Sequence, residues 1–309
     1  MIRLRQSGSL RSTSVLCGLA GVAVAAGVLV QTGGDDVVLP TAEYGQRLLR
    51  DTAAYLGPDH DDPDKRFTGT HMACASCHLD SGTRPGTLSL LATSSRYPRD
   101  SGRDGGMRDL RDRINGCMQR SMNGRPLPRD SVEMMAMEAY INGLGRQFAV
   151  TAASSLVPDE PSAFAEPDRA ANPMAGELVY TEHCQVCHGE NGEGLQAAFD
   201  PQAGYLFPPL WGPDSFNNGA GMHRVLTAAR FIKARMPFGK PELTDDQAYD
   251  VAAYINSHPR PQMSNLEQDY PDKSRKPIDS PYPPYADDFS NEQHRLGPFG
   301  PIRAFYERN

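Results

Sequence analysis

The chain has 309 residues, 39% of them hydrophobic and 22% charged, with a net charge of −7; a length of this size suits about two domains. This balance excludes an intrinsically disordered chain and argues against a general nucleic-acid binder, and a mean hydropathy of −0.52 excludes a polytopic membrane protein. The first element in chain order is an apolar run, Val15 to Val30, which follows Arg3, Arg5 and Arg11 with no acid before it. It reads as an export signal over residues 1–33, cleaved on export, with a retained N-terminal anchor as the alternative. Its 16 residues fall short of the roughly 20 that a transmembrane helix needs. Removing residues 1–30 takes away three arginines and no acids, leaving a net charge of −10. Cys17 lies inside this run after Leu16, where a lipid-modified cysteine would follow a small residue, so it is read as idle.

Export to the periplasm would ordinarily turn six cysteines into disulfides. Their spacing says otherwise. Cys74 and Cys77 precede His78 in CASCH, and Cys184 and Cys187 precede His188 in CQVCH, 110 residues on. Two thiols separated by two residues can each form a thioether with a haem vinyl group, and the adjacent histidine then ligates the iron from one face. Zinc would require further paired Cys or His ligands, and Cys117 is the only other cysteine beyond the signal. Two covalently bound c-type haems follow, with no disulfide.

Each attachment site leads through an irregular stretch to a capped amphipathic helix. Asp130 and Glu133 fit a capping box that opens a helix through Met134, Met137 and Tyr140 to about Gly143. Thr244 and Gln247 do the same for a helix through Val251, Tyr254 and Ile255. Both helices carry Tyr-Ile-Asn, 66 residues after Cys74 and 70 after Cys184, which marks an internal repeat. The expected fold is all-α, with cytochrome c-like domains over residues 40–150 and 171–260 and a proline-containing linker over 151–170. Residues 261–309 are rich in proline, tyrosine and charge, and seven aromatics after Ser264 point to an irregular strap packed over both domains rather than a disordered tail.

The second axial ligand decides what each haem does. In the second domain Met236, 48 residues after His188 and followed by proline, sits where a distal thioether belongs; Met222 and His223 are rivals. His/Met ligation raises the potential and favours electron transfer. The first domain lacks such a Met-Pro pair before its capped helix, although Met107, Met118 and Met122 are available. Instead Cys117 stands 39 residues after His78. From Arg96 to Arg129 run nine arginines and four aspartates, a local charge of +5 around that thiol. Arginines lower a thiol pKa and match oxyanions geometrically, so the surroundings point to a thiolate ligand under a pocket for a small sulfur oxyanion. A buried free cysteine is the blander reading.

CASCHLDSGT (Cys74 to Thr83), RINGCMQRSMNGRPLP (Arg113 to Pro128), PPLWGPDSFNNGAGM (Pro208 to Met222), FIKARMPFG (Phe231 to Gly239) and DSPYPPYADDF (Asp279 to Phe289) resemble the dihaem thiosulfate dehydrogenases that form tetrathionate. The resemblance spans nearly all of the mature chain. It implies that two thiosulfates become tetrathionate with release of two electrons, a reaction some relatives also run in reverse. It also implies Cys117 as distal ligand of the active-site haem, Arg103, Arg113 and Ser121 as substrate-pocket residues, and Met236 as distal ligand of the electron-transfer haem. The expected electron acceptor is a soluble cytochrome c or a high-potential iron-sulfur protein. Some relatives place a lysine before that methionine; here Arg235 stands there and cannot ligate, leaving Lys233 as the nearby alternative. Nucleic acid is not an expected partner, and a membrane is one only through a retained anchor. The competing readings are a plain dihaem electron carrier, a Sox-type cytochrome acting on a carrier-protein cysteine, and a dihaem peroxidase.

Overall fold

A computed structural model describes residues 38–152, 164–197 and 201–308. The export segment with Cys17, and the centre of the linker, lie outside the described residues. Among the described residues no helix is long and apolar enough to cross a membrane.

The first half opens on α1 (Ala42–Arg50), where the Thr41 hydroxyl accepts the Tyr44 N–H at 3.1 Å and so satisfies one donor of the first turn. After α2 (Thr52–Leu56) and the haem-attachment loop comes an antiparallel hairpin, β1 (Arg99–Ser101) with β2 (Gly106–Arg108). It leads into α3 (Leu110–Arg120) and α4 (Val132–Ala152). Ser131, not Asp130, caps α4: its hydroxyl accepts the Met134 N–H at 3.1 Å. Nor does α4 stop near Gly143. A helical glycine costs only about 1 kcal/mol, and packing of α4 against α1 outweighs that.

The second half repeats the plan. Asn172 caps α5 (Pro173–His183), with proline in the first turn where its missing N–H costs nothing. Then follow α6 (Gln185–His188), the antiparallel pair β3 (Leu195–Gln196) and β4 (Tyr205–Phe207), α7 (Val225–Arg235) and α8 (Asp245–Ser257). The capping box expected at Thr244 and Gln247 is present, with reciprocal bonds of 3.1 and 2.9 Å. The repeat is also visible in the packing. A Cβ on Gly45 of α1 would lie 2.0 Å from the Ala136 carbonyl and 2.8 Å from Tyr140 Cβ of α4. A Cβ on Gly176 of α5 would lie 2.0 Å from the Asp250 carbonyl and 2.9 Å from Tyr254 Cβ of α8. In each half the first helix crosses the last at a glycine, against the tyrosine of Tyr-Ile-Asn.

Two cores result. One gathers Leu48, Leu56, Ile114, Met118, Met134 and Met137; the other gathers Tyr180, Trp211, Ala229, Tyr249, Val251 and Phe299. Phe216 and Ala220 of the second half pack into the first core, and Met222 packs against both. His71 fastens the junction: its backbone N–H and Nδ1 donate to Asp214 at 3.0 Å each, and its Nε2 donates to Asp59 at 2.9 Å.

The C-terminal stretch crosses both halves. Residues 261–290 are turns and short 3-10 segments, but the end is helical, α9 (Asn291–Leu296) and α10 (Gly300–Arg308), so the strap is irregular only in its first part. Ser290 accounts for the change, because its hydroxyl accepts the Gln293 N–H and starts α9. The strap meets the first half through Tyr270, whose N–H donates to the Arg103 carbonyl at 2.7 Å, and the second through Asp279, which pairs with Arg224 at 2.6 Å.

Candidate active site

Helix α3 lays out two stripes. Leu110, Ile114 and Met118, spaced by four, are buried in the first core. Arg113, Cys117 and Ser121 follow the same spacing on the neighbouring face, because residues four apart stack along a helix. The apolar stripe anchors the helix; the polar one carries a thiol and a cation.

Cys117 faces His78 closely enough for a hydrogen bond between thiol and imidazole. Cys74, Cys77 and Cys117 are enclosed by surrounding protein, yet all three retain accessible surface. They are set deep in the first half without being sealed from solvent. The donor set of this region fits a haem held by Cys74 and Cys77. The attachment thiols are unpaired, and His78 Nδ1 donates to the Leu88 carbonyl at 2.7 Å, which fixes the tautomer and leaves Nε2 for a metal. The second half matches: His188 Nδ1 donates to the Pro208 carbonyl at 2.8 Å, and Cys184 and Cys187 are free thiols.

Similar enclosure has opposite outcomes at the three thiols of the first half. Burial pushes Cys74 up to about 11 and Cys77 up to about 12. Burial also opposes ionisation of Cys117, but the Arg113 cation one turn away, the hydrogen bond with His78 and its charge, and the charge of Arg103 bring it down to about 7. Cys117 in turn holds Arg113 more firmly charged.

Most of the arginine run is spoken for. Arg108 pairs with Asp104 and Asp112, Arg111 with Glu138, and Arg129 with Asp109 and Asp112, all near the surface. The local +5 already counts those aspartates, and Glu138 and the strap's Asp269 reduce it to +3; it is not one electropositive field, because the paired arginines are tied to their own carboxylates. Arg113 differs: no carboxylate pairs with it among the described residues, and it has Cys117, Tyr97 and Arg103 for neighbours. Arg103 arrives from the β1–β2 turn and is held from three directions. It donates to the Gly219 carbonyl at 3.1 Å, pairs with Asp269 at 3.0 Å, and lies over the Tyr270 ring. Asp269 also takes Arg120 at 2.7 Å and the Tyr282 hydroxyl at 2.7 Å. The strap thus clamps the arginine side of the site. Arg120, Asp269 and Tyr282 escaped sequence reasoning; the aromatics after Ser264 signalled a packed strap, but nothing local tied Asp269 to an arginine 166 positions earlier.

In the second half Met236 caps the end of α7 and packs partly buried on the second core. Lys233 is engaged elsewhere, donating to the Leu243 carbonyl at 2.8 Å and pairing with Asp245 at 3.4 Å. Arg235 reaches the first half, where its guanidinium donates to the carbonyls of Pro85 and Thr87. Of the rival ligands, Met118 and Met122 are sealed in the first core and Met107 is 65% exposed. His223 turns Nδ1 to the Asn218 carbonyl at 2.9 Å.

Residues 64–150 match the family model "SoxA/TsdA, cytochrome c domain", and residues 171–255 match "Cytochrome C oxidase, cbb3-type, subunit III". The chain is 38% identical over 240 residues to the thiosulfate dehydrogenase of Stutzerimonas stutzeri, covering 77% of this chain and 75% of that protein. It is 39% identical over 222 residues to that of Allochromatium vinosum, covering 70% and 77%. Among solved structures it resembles the thiosulfate dehydrogenase (TsdBA) from Marichromatium purpuratum, with a TM-score of 0.63 and 35% identity. That match covers 75% of this chain and spans half of the other. Two cytochrome c domains, each with its attachment motif, give the protein two c-type haems.

Proposed function

Because the chain belongs to the thiosulfate dehydrogenase family, we propose that it is a periplasmic oxidoreductase that joins two thiosulfates into tetrathionate and delivers two electrons to an external carrier. The observation that carries this reading is the Arg113–Cys117–Ser121 stripe of α3, whose Cys117 faces His78 and whose Arg113 is neighboured by Arg103. In it Cys117 and Met236 serve as distal ligands, and Arg103, Arg113 and Ser121 line the substrate pocket.

Two thiosulfate dianions must meet, and one pair of unit charges 4 Å apart already costs about 1 kcal/mol in water and more where water is excluded. Arg113, which no carboxylate among the described residues pairs with, and Arg103, pinned by Asp269, offset that repulsion and orient the sulfonate oxygens. The Cys117 thiolate forms a bond from its Sγ to the terminal sulfur of the first thiosulfate as two electrons leave, giving an Sγ–S–SO3⁻ adduct that keeps both the cysteine sulfur and the thiosulfate's terminal sulfur. The terminal sulfur of the second thiosulfate attacks the adduct sulfur that bears the SO3 group. Tetrathionate departs and the Cys117 thiolate returns, so atoms and charge balance. The haems, which Cys74, Cys77 and His78 would hold in the first half and Cys184, Cys187, His188 and Met236 in the second, would supply the electron-accepting capacity when bound, and the external carrier is a soluble cytochrome c or a high-potential iron-sulfur protein.

Replacing Cys117 with Gly is expected to abolish thiosulfate-dependent tetrathionate formation while both haems remain attached, checked by turnover and by a haem stain of the denatured chain. Full retained turnover would sink the assignment. The family model shared with SoxA favours one other reading, a Sox-type cytochrome acting on a carrier-protein cysteine. Turnover of free thiosulfate without a carrier protein excludes it.

A further inference from the structure

Where the strap crosses the end of α8, the structure contains a cavity of about 300 Å³ whose lining includes Asn218, His223, His258, Arg260, Asn291 and Arg295. No carboxylate lines it among the described residues. Arg260 is only 6% exposed, and no acid pairs with it among the described residues. Its Nη atoms donate to the carbonyls of Leu210 and Ile255 and to the Asn256 side chain at 3.3, 2.8 and 3.3 Å, while its Nε has no acceptor. The carbonyls at the end of a helix carry roughly half a unit of negative charge. They offset only part of the cost of burying a full cation, and burial pushes Arg260 down to about 9. The charges of Arg260 and Arg295 both bear on His223, and His258 Nε2 is buried without a partner. Two guanidinium groups, Arg260 and Arg295, therefore converge on one cavity in a chain whose net charge is −7, and no carboxylate among the described residues pairs with them.

We infer that this cavity is an anion site, in which Arg260 and Arg295 are the counter-ions of an oxyanion group. A carboxylate of the second domain's haem and a free sulfur oxyanion share that chemistry, and each leaves its own signature. The test uses the dihaem holoprotein with Arg295→Gln, Arg295→Lys and Arg260→Gln. The midpoint potential of each haem is followed by spectroelectrochemistry, and the thermal midpoint is followed in sodium sulfate against sodium chloride at matched ionic strength. A haem carboxylate predicts that either Gln variant lowers the potential of the second haem and leaves the first unmoved, that Arg295→Lys restores it, and that sulfate has no effect beyond chloride. A free oxyanion predicts that sulfate raises the wild-type thermal midpoint beyond chloride, with affinity at least about tenfold weaker in Arg295→Gln, as loss of a charge-assisted hydrogen bond requires. Because Arg295 is exposed, its variants fold even if Arg260→Gln does not. An unchanged second-haem potential in Arg295→Gln, together with a sulfate response no greater than that to chloride in the wild type, overturns the inference.

Discussion

Enclosure alone makes a thiol harder to ionise, as Cys74 and Cys77 show; Cys117 departs from them because a cation sits one turn before it and an imidazole opposite. A thiolate at that position is thus a property of three residues rather than one. Asp269 extends the argument outward. It is buried, takes Arg103 and Arg120 on separate oxygens, and accepts from Tyr282. Asp269→Asn removes the charge from both ion pairs, and hydrogen bonds to charged groups are worth about 1.5–3 kcal/mol each. With Arg103 loosened, KM for thiosulfate should rise about tenfold while kcat changes little, the pattern of lost binding. Steady-state kinetics decide it, and an unchanged KM would remove Asp269 from the site. Replacing Met236 should slow electron exit and alter the spectrum of the second haem only. A change confined to the first haem would mean that the two domains' roles are reversed.

Among the elements, α3 was not foreseen as a helix, although its pattern is present in the chain. The four-residue spacing of Leu110, Ile114 and Met118 and of Arg113, Cys117 and Ser121 can be read directly from the chain. Which arginines stay available cannot, because their partners Glu138 and Asp269 lie on α4 and on the strap. The capping box at Thr244 was read correctly; at α4 the cap moved one residue to Ser131, since either neighbour offers a side-chain oxygen and the helix takes the one in reach of the Met134 N–H. The glycine crossings escaped notice because a close helix approach leaves no local pattern. Gly176→Ala would force α5 from α8, where the nearest atom is the Asp250 carbonyl rather than a flexible side-chain end. A loss of about 1–3 kcal/mol follows from overpacking of this kind. Denaturant unfolding of the holoprotein checks it, and a midpoint equal to wild type would show that the helices part freely.

At the scale of the whole molecule, the two halves do not meet as separate beads. Phe216 and Ala220 enter the first core, Arg235 reaches back to Pro85, and His71 bridges Asp59 and Asp214. Burial alone would lower the His71 pKa, but hydrogen bonds and charge from those two carboxylates raise it above its ordinary value of about 6.5. A raised pKa means the folded protein holds the proton more tightly than the unfolded chain. The stabilisation is then complete below about 6.5 and fades as pH rises through the folded-state value. The thermal midpoint of wild type should exceed that of His71→Gln most at mildly acidic pH, with the gap narrowing toward pH 8; a gap that widens with pH would refute the bridge. Two haem-binding domains, their attachment motifs with the adjacent histidines and the odd thiol were legible in the sequence alone, because covalent haem attachment is a local rule written over a few residues. Tertiary structure decided which charges survive pairing, how the strap clamps Arg103, and where Arg260 is left without an acid, because ion pairs depend on distances that only the folded chain sets.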